Sequence, residues 1–266
     1  MLTLAEVVAL LHEWYPPETA FDGDAVGLVA GDPAAEVARV MFAVDPTIEV
    51  AREAVEWGAD LLVVHHPLFL TPVSSVAATT PKGRTLHALT SGGCALLTAH
   101  TNADQAASGV SEAMAEALGL RDLAPRRPSS PGAATGQGRT GTVDETTLGA
   151  FAARVAEALP TTAHGVRVAG GSDRPVRRVA VCGGAGDFLL DELVGADIDV
   201  FVTSDLRHHR AGEFLEHGGA ALVDVAHWAA EWTWLPVVEG RLRATLGDRV
   251  ETRVSTLCTD PWTFRH

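Results

Sequence analysis

The run VMFAVDPTIEVAREAVEWGADLLVVHH, residues 40–66, decides the fold. Its ends, VMFAV (40–44) and DLLVV (60–64), are short apolar runs without the alternation of a strand that is wet on one face. Both therefore read as strands buried on both faces. Between them Asp45 and Pro46 open a helix that reaches Trp57, and Gly58 closes it. Asp in the cap, Pro in the first turn and Gly after the last turn are the residues helix ends ask for. Strand, helix and strand at this length make a β-α-β unit, with parallel strands joined by a covering helix.

The same plan returns in VAVCGGAGDFLLDELVGADIDVFVTSD, residues 179–205. Each half later holds a strand that runs into a histidine with an acid four residues on, His100–Asp104 and His227–Glu231. The expected fold class is α/β, with two similar lobes of mainly parallel sheets covered by helices and an internal duplication. Around these units, Leu4, Val7, Val8, Leu11 and Trp14 follow a helical period after a Thr3/Glu6 capping box. Helices are predicted over 82–91, 108–118, 146–158, 187–194 and 210–217, and strands over 94–98, 176–182, 199–203 and 220–225. Residues 250–258 alternate and read as an edge or half-exposed strand. Residues 124–142, APRRPSSPGAATGQGRTGT, hold almost nothing apolar and read as a linker, or as a disordered excursion within a longer crossover. They separate a lobe over 1–124 from a second over 125–225.

Composition excludes several classes. The 266 residues, 47% apolar, suffice for one large α/β domain or two medium ones and do not describe a disordered chain. Acids outnumber bases 34 to 20, a net charge of -14 that repels phosphate backbones and argues against nucleic acid as partner. A small anionic ligand stays compatible, because a bound cation reverses the local potential. The first helix carries Glu6 and His12 and has no basic leader or cleavage site, so it is not a signal peptide. No window has the length and purity of a membrane span, and the chain is expected to be cytoplasmic. Cys94, Cys182 and Cys258 are far apart, without CxxC spacing, and read as core thiols.

Three motifs carry candidate chemistry. VVHHPLF (63–69) places His65 and His66 just after a strand, where α/β sheets put their sites. Neighbours on an extended chain point to opposite sides, so the two chelate one ion poorly but can each serve one of two ions if the chain bends. HTNAD (100–104) and HWAAE (227–231) each set an imidazole and a carboxylate four residues apart, on one face of a helical turn. A surface-loop pair is the plainer reading of the first motif, and a helix cap and an ordinary His–Glu pair are those of the other two. Together His65, His66, His100, His227, Asp104 and Glu231 are a donor inventory for two divalent ions. Mixed nitrogen and oxygen donors suit Zn, Fe, Mn, Co or Ni alike. Asp24 reads as a turn residue or part of a loop over the site. Asp205, His208 and His209 follow the 199–203 strand as substrate-facing or supporting groups, with satisfied surface residues as the plainer reading. The glycines of GGAGD (183–187) lack the spacing and the lysine of a nucleotide loop.

In order along the chain, DGDAVGL (22–28), GADLLVVHHPLF (58–69), AHTNADQAASGVSEAMAEALGL (99–120), VAVCGGAGDFLLDEL (179–193), DVFVTSDLRHH (199–209), LVDVAHWAAE (222–231) and DPWTF (260–264) resemble the GTP cyclohydrolase 1 type 2 homologue family, the Ngg-interacting-factor-like proteins. The resemblance spans essentially the whole chain. It implies two metal ions held by His65, His66, Asp104, His227 and Glu231, with His100 close to the pair. It also implies that 226–266 completes the first lobe, and that the chain forms a homo-oligomer, a toroidal hexamer. Thr203-Ser204-Asp205 stands where many members have Thr-Gly-Asp or Thr-Gly-Glu, and Ala226 where glycine is usual. Two ions can activate a water for hydrolysis, with His100, His208 or His209 carrying protons. The family name implies ring opening of a nucleotide or related heterocycle. A non-catalytic metal-handling or regulatory scaffold is the alternative function.

Overall fold

A computed structural model describes residues 2–266. The chain forms two compact units, one reaching Ala106 and taking in Leu235–Thr259, the other spanning Ala107–Trp234 with Asp260–His266.

The first unit begins with α1 (Leu4–Trp14), capped by the Thr3/Glu6 box, then β1 (Gly27–Ala30), β2 (Arg39–Ala43), α2 (Ile48–Trp57), β3 (Leu61–Val64), α3 (Pro81–Ser91), β4 (Ala95–Thr98) and α4 (Thr101–Gln105). The predicted β-α-β unit is present, its helix capped by Thr47 and closed by Gly58 at φ 77°. The sheet order is β1-β4-β3-β2-β11, where β11 is the C-terminal strand Glu251–Val254. All neighbours are parallel except β1 with β4. Met41, Ala43, Leu62, Val64 and Leu96 bury one face of the sheet against α2 and α3. The alternate residues Val40, Phe42, Leu61, Val63 and Leu97 are buried as well. Burial on both faces is why these strands read as unbroken apolar runs.

The second unit contains α5 (Val110–Ala117), β5 (Arg121–Pro128), β6 (Gly136–Thr147), α6 (Leu148–Ala158), β7 (Val166–Ala169), β8 (Pro175–Ala185), α7 (Leu190–Leu193), β9 (Val200–Ser204), α8 (His208–Glu216), β10 (Ala221–Val225) and α9 (His227–Trp232). α10 (Trp234–Leu246) then leads back to β11. The sheet order is β5-β6-β8-β9-β10-β7, with β8, β9 and β10 parallel and the other pairings antiparallel. Residues 124–142, read as a linker, are instead most of the antiparallel pair β5 and β6, closed by a turn at 129–135. This hairpin makes the second sheet mixed. The unit also begins before α5 rather than near 124, because α5 packs on β6 and β8.

The duplication is visible in hydrogen bonds. Asp60 Oδ2 accepts from the amides of Ala38 and Arg39, both at 2.8 Å. Asp199 Oδ2 accepts from Arg177 and Arg178 at 2.8 and 2.7 Å. Each acid leads into the second parallel strand, in chain order, of its sheet, and each sheet has an antiparallel edge strand beside the third, β1 beside β4 and β7 beside β10. The pairing Thr98↔Val64 corresponds to Asp224↔Thr203. Thr101, rather than His100, is thus the counterpart of His227. The two histidine–acid motifs share a spacing but sit one residue out of step.

Of the three thiols, Cys94 and Cys182 are buried, and burial pushes the Cys94 thiol up to about 12. Cys258 is exposed, in the irregular segment beyond β11, so it is not a core thiol. Among the described residues no helix is long and apolar enough to cross a membrane.

Candidate metal centre

In the first unit, β3 ends at Val64 and the chain bends at once. The His65 amide donates to the Val44 carbonyl at 3.1 Å and the His66 amide donates to the same carbonyl at 2.9 Å. Two successive amides converging on one oxygen break the strand alternation. The rings therefore do not diverge as on an extended chain, and their centroids lie 5.0 Å apart. His100, at the entrance to α4, joins them at 5.1 Å from His65 and 5.6 Å from His66. One ligating atom from each of the three rings falls within 4.8 Å of the others.

Each ring is held from behind. His65 is buried and its Nδ1 donates to the Ala99 carbonyl at 2.9 Å. A carbonyl only accepts, so the proton is on Nδ1 and the neutral ring has its lone pair on Nε2. His66 Nδ1 lies 2.6 Å from Asp45 Oδ1, and the other oxygen of Asp45 accepts from the Thr259 hydroxyl. His100 Nδ1 lies 2.8 Å from Asp24 Oδ1, and Asp24 Oδ2 accepts from the amide and hydroxyl of Thr101. Asn102 supports this turn, accepting from the His100 amide at 2.9 Å and donating to the Tyr15 carbonyl at 2.7 Å. Asp104, on α4, brings Oδ1 to 3.6 Å from His65 Nε2.

The second unit carries a donor pair. Parallel β10 delivers the chain to Ala226, and α9 begins at His227. The i,i+4 spacing sets His227 Nε2 2.8 Å from Glu231 Oε1, while Nδ1 lies 2.6 Å from Asp205 Oδ2. Close backbone makes room for the pair. Gly184, on β8, has φ +69°, and a Cβ there would lie 2.6 Å from Glu231 Oε1 and 3.2 Å from His227 Nε2. The space in front of these donors is therefore kept clear by a residue with no side chain. Such room, with neutral nitrogens and carboxylates as donors, fits a divalent metal ion.

The two departures from the family pattern leave the backbone untroubled. Ala226 has φ -61°, within reach of any residue. Ser204 is not among the residues with positive φ, whereas Asp205 is, at φ 58°. Aspartate tolerates that region better than most residues.

His208 and His209 lie exposed in the first turn of α8, with ring centroids 5.2 Å apart. Sequence reasoning assigned Asp45 to a helix start and Asp24 chiefly to a turn. Both are anchors of histidine rings, whose partners lie 21 and 76 residues away. Asp205 was singled out, and it holds His227.

Burial pushes the His100 imidazole below its ordinary value, with nearby His65 adding to the shift, and the Asp24 contact opposes it without prevailing. Burial would raise Asp24, but hydrogen bonds from Thr101 and His100 outweigh it and hold the carboxyl down. The hydrogen bond from His227 is the main cause lowering Asp205. The His100 shift has a consequence for stability. The unfolded chain takes up a proton there near pH 6.5 while the folded chain resists, so stability falls as pH drops from about 6.5 towards the depressed value. On metal-stripped protein the thermal midpoint should fall between pH 7.5 and 5.5, and His100→Asn should flatten that fall. Equal slopes in both proteins would contradict the assignment.

The profile of the Duf34/NIF3 (NGG1p interacting factor 3) family matches residues 2–261. A Streptomyces coelicolor protein named "GTP cyclohydrolase 1 type 2 homolog" is 48% identical over 99% of this chain and 94% of its own length. A Staphylococcus aureus hypothetical protein of known crystal structure superposes with TM-score 0.90 at 28% identity, covering 99% of both chains. A Bacillus cereus protein related to NIF3 does so with TM-score 0.88 at 25% identity, again over 99% of both. The chain belongs to the Duf34/NIF3 family.

Proposed function

We propose that this chain is a dinuclear-metal-dependent hydrolase in which His65, His66, Asp104, His227 and Glu231 hold two divalent ions. The substrate class is a nucleotide or related heterocycle. The observation that carries the reading is the common fixing of Nδ1 on His65, His66, His100 and His227 by a carbonyl or a carboxylate. Metal-bound imidazoles are held in this way: a partner at one nitrogen sets the tautomer and aims the other nitrogen at the ion.

When bound, such ions would lower the pKa of a water and stabilise negative charge on the reacting group. The side chains do the rest. Asp104 and Glu231 offset the positive charge, and Asp24, Asp45 and Asp205 keep the rings aimed. His100, tied at Nδ1, can take up or release a proton at Nε2, and its lowered pKa keeps that nitrogen free near neutral pH. His208 and His209, exposed on α8, are the proposed proton carriers towards solvent. The family resemblance adds a cytoplasmic toroidal hexamer to this reading.

The name of the Streptomyces coelicolor relative makes GTP the first compound to try. Protein loaded with Zn, Mn or Fe is expected to turn over GTP or a member of a panel of phosphoesters and cyclic amides. Chelation should abolish that turnover and re-addition of metal should restore it. A fully loaded protein inert on every compound would contradict hydrolysis and leave a metal-handling scaffold.

A further inference from the structure

A cavity of about 390 Å3 opens in the first unit beside His66. That is within the size range of small-molecule sites. His66 and Asp45 form one wall, Glu49 of α2 another, and the start of α3, with Lys82, Arg84 and Thr85, the third. Lys82 and Arg84 are exposed, and among the described residues neither is paired with a carboxylate. Lys82 is the single lysine of the chain.

Among the described residues neither acid of this cavity is ion-paired with the two cations. Asp45 is engaged by His66 and by the Thr259 hydroxyl. Glu49 lies in the first turn of α2, where a negative charge complements the helix dipole. Lys82 and Arg84 lie in the first turn of α3, which holds no acidic residue, so their charges oppose the dipole. Helix stability therefore gives no reason for cations at these positions, whereas an anion in the cavity does.

We propose that this cavity is an anion subsite, in which Lys82 and Arg84 bind a phosphoryl or pyrophosphoryl group of the ligand that is presented to His66. The inference deepens the hydrolase reading and rests on it for the identity of the reacting centre. It narrows the substrate class to phosphorylated small molecules. Arg84 offers a planar fork of donors matched to phosphate oxygens, and Lys82 a mobile point charge. In a chain of net charge -14, such a local pair is what lets a phosphorylated ligand settle.

Calorimetric titration of the metal-loaded full chain with pyrophosphate tests this. The Lys82→Ala/Arg84→Ala double variant should bind pyrophosphate about 10- to 100-fold more weakly, with the same metal content as the native chain. Arg177→Ala, which removes an exposed arginine of the second unit, should bind as the native chain does. Equal affinity in the double variant and the native chain would overturn the proposal, as would a native chain that binds no pyrophosphate at millimolar concentration. The outcome is separable from the hydrolase reading. Weakened binding in a protein without turnover would keep the subsite and reject hydrolysis, while turnover with unchanged binding would reject the subsite alone.

Discussion

Glu231→Ala is expected to bring bound metal down from two ions per chain to one or none, and Asp104→Ala to do the same. Glu231 is buried, with Oε1 2.8 Å from His227 Nε2. Asp104 Oδ1 stands 3.6 Å from His65 Nε2. Each carboxylate supplies negative charge that neutral imidazoles cannot, and removing it leaves a divalent cation under-compensated. The check is metal per chain by elemental analysis after dialysis. Thermal melting of the metal-free proteins would show that each variant still folds. Two ions retained in either variant would overturn the ligand assignment.

Gly184→Ala should lose metal although it removes no ligand. At φ +69° an alanine is strained, by about 1–2 kcal/mol, and its Cβ would meet Glu231 Oε1 at 2.6 Å. The neighbouring His227 Nε2, at 3.2 Å, leaves little space on the other side. Relief requires the carboxylate to move, and displaced ligands cost on the order of 10- to 100-fold in metal affinity when their support is lost. Gly195 provides the control, since it has φ +71° with nothing within 4 Å of a Cβ. Both alanine variants should lose comparable stability on chemical denaturation of the metal-free protein, and only Gly184→Ala should bind metal more weakly. Equal metal affinity in the two would mean that Glu231 does not hold an ion where its oxygen lies.

The parallel cores of both sheets were legible because their strands are buried on both faces and their helices carry clear caps. The hairpin at β5 and β6 was not. Its buried positions include Gly136, Gly138, Gly141 and Arg139, so there is no apolar alternation to detect. The glycines are there for close approach. A Cβ on Gly138 would lie 2.9 Å from the Val181 carbonyl oxygen, and one on Gly141 2.8 Å from that of Arg121. Arg139 is buried because Glu112 and the carbonyls of Gly136 and Gly138 receive its donors.

The donor residues of the candidate centre stood out because histidines after apolar strands and i,i+4 acids are local patterns. Their anchors were harder to see. Asp24 and Asp45 sit where turns and helix starts call for aspartate anyway, and only the tertiary fold sets them behind His100 and His66. The one-residue offset between the two histidine–acid motifs was equally hidden. Sequence spacing is identical in both, and only strand pairing, Thr98 opposite Val64 and Asp224 opposite Thr203, reveals the slip.

Anomalous diffraction across several metal absorption edges, on crystals grown without added metal, tests the central claim most directly. The account predicts two peaks per chain, ligated by His65, His66, Asp104, His227 and Glu231, with coordination positions left open for substrate. Crystals whose metal lies away from these residues, or whose rings and carboxylates stand apart with no ion among them in metal-replete protein, would contradict it.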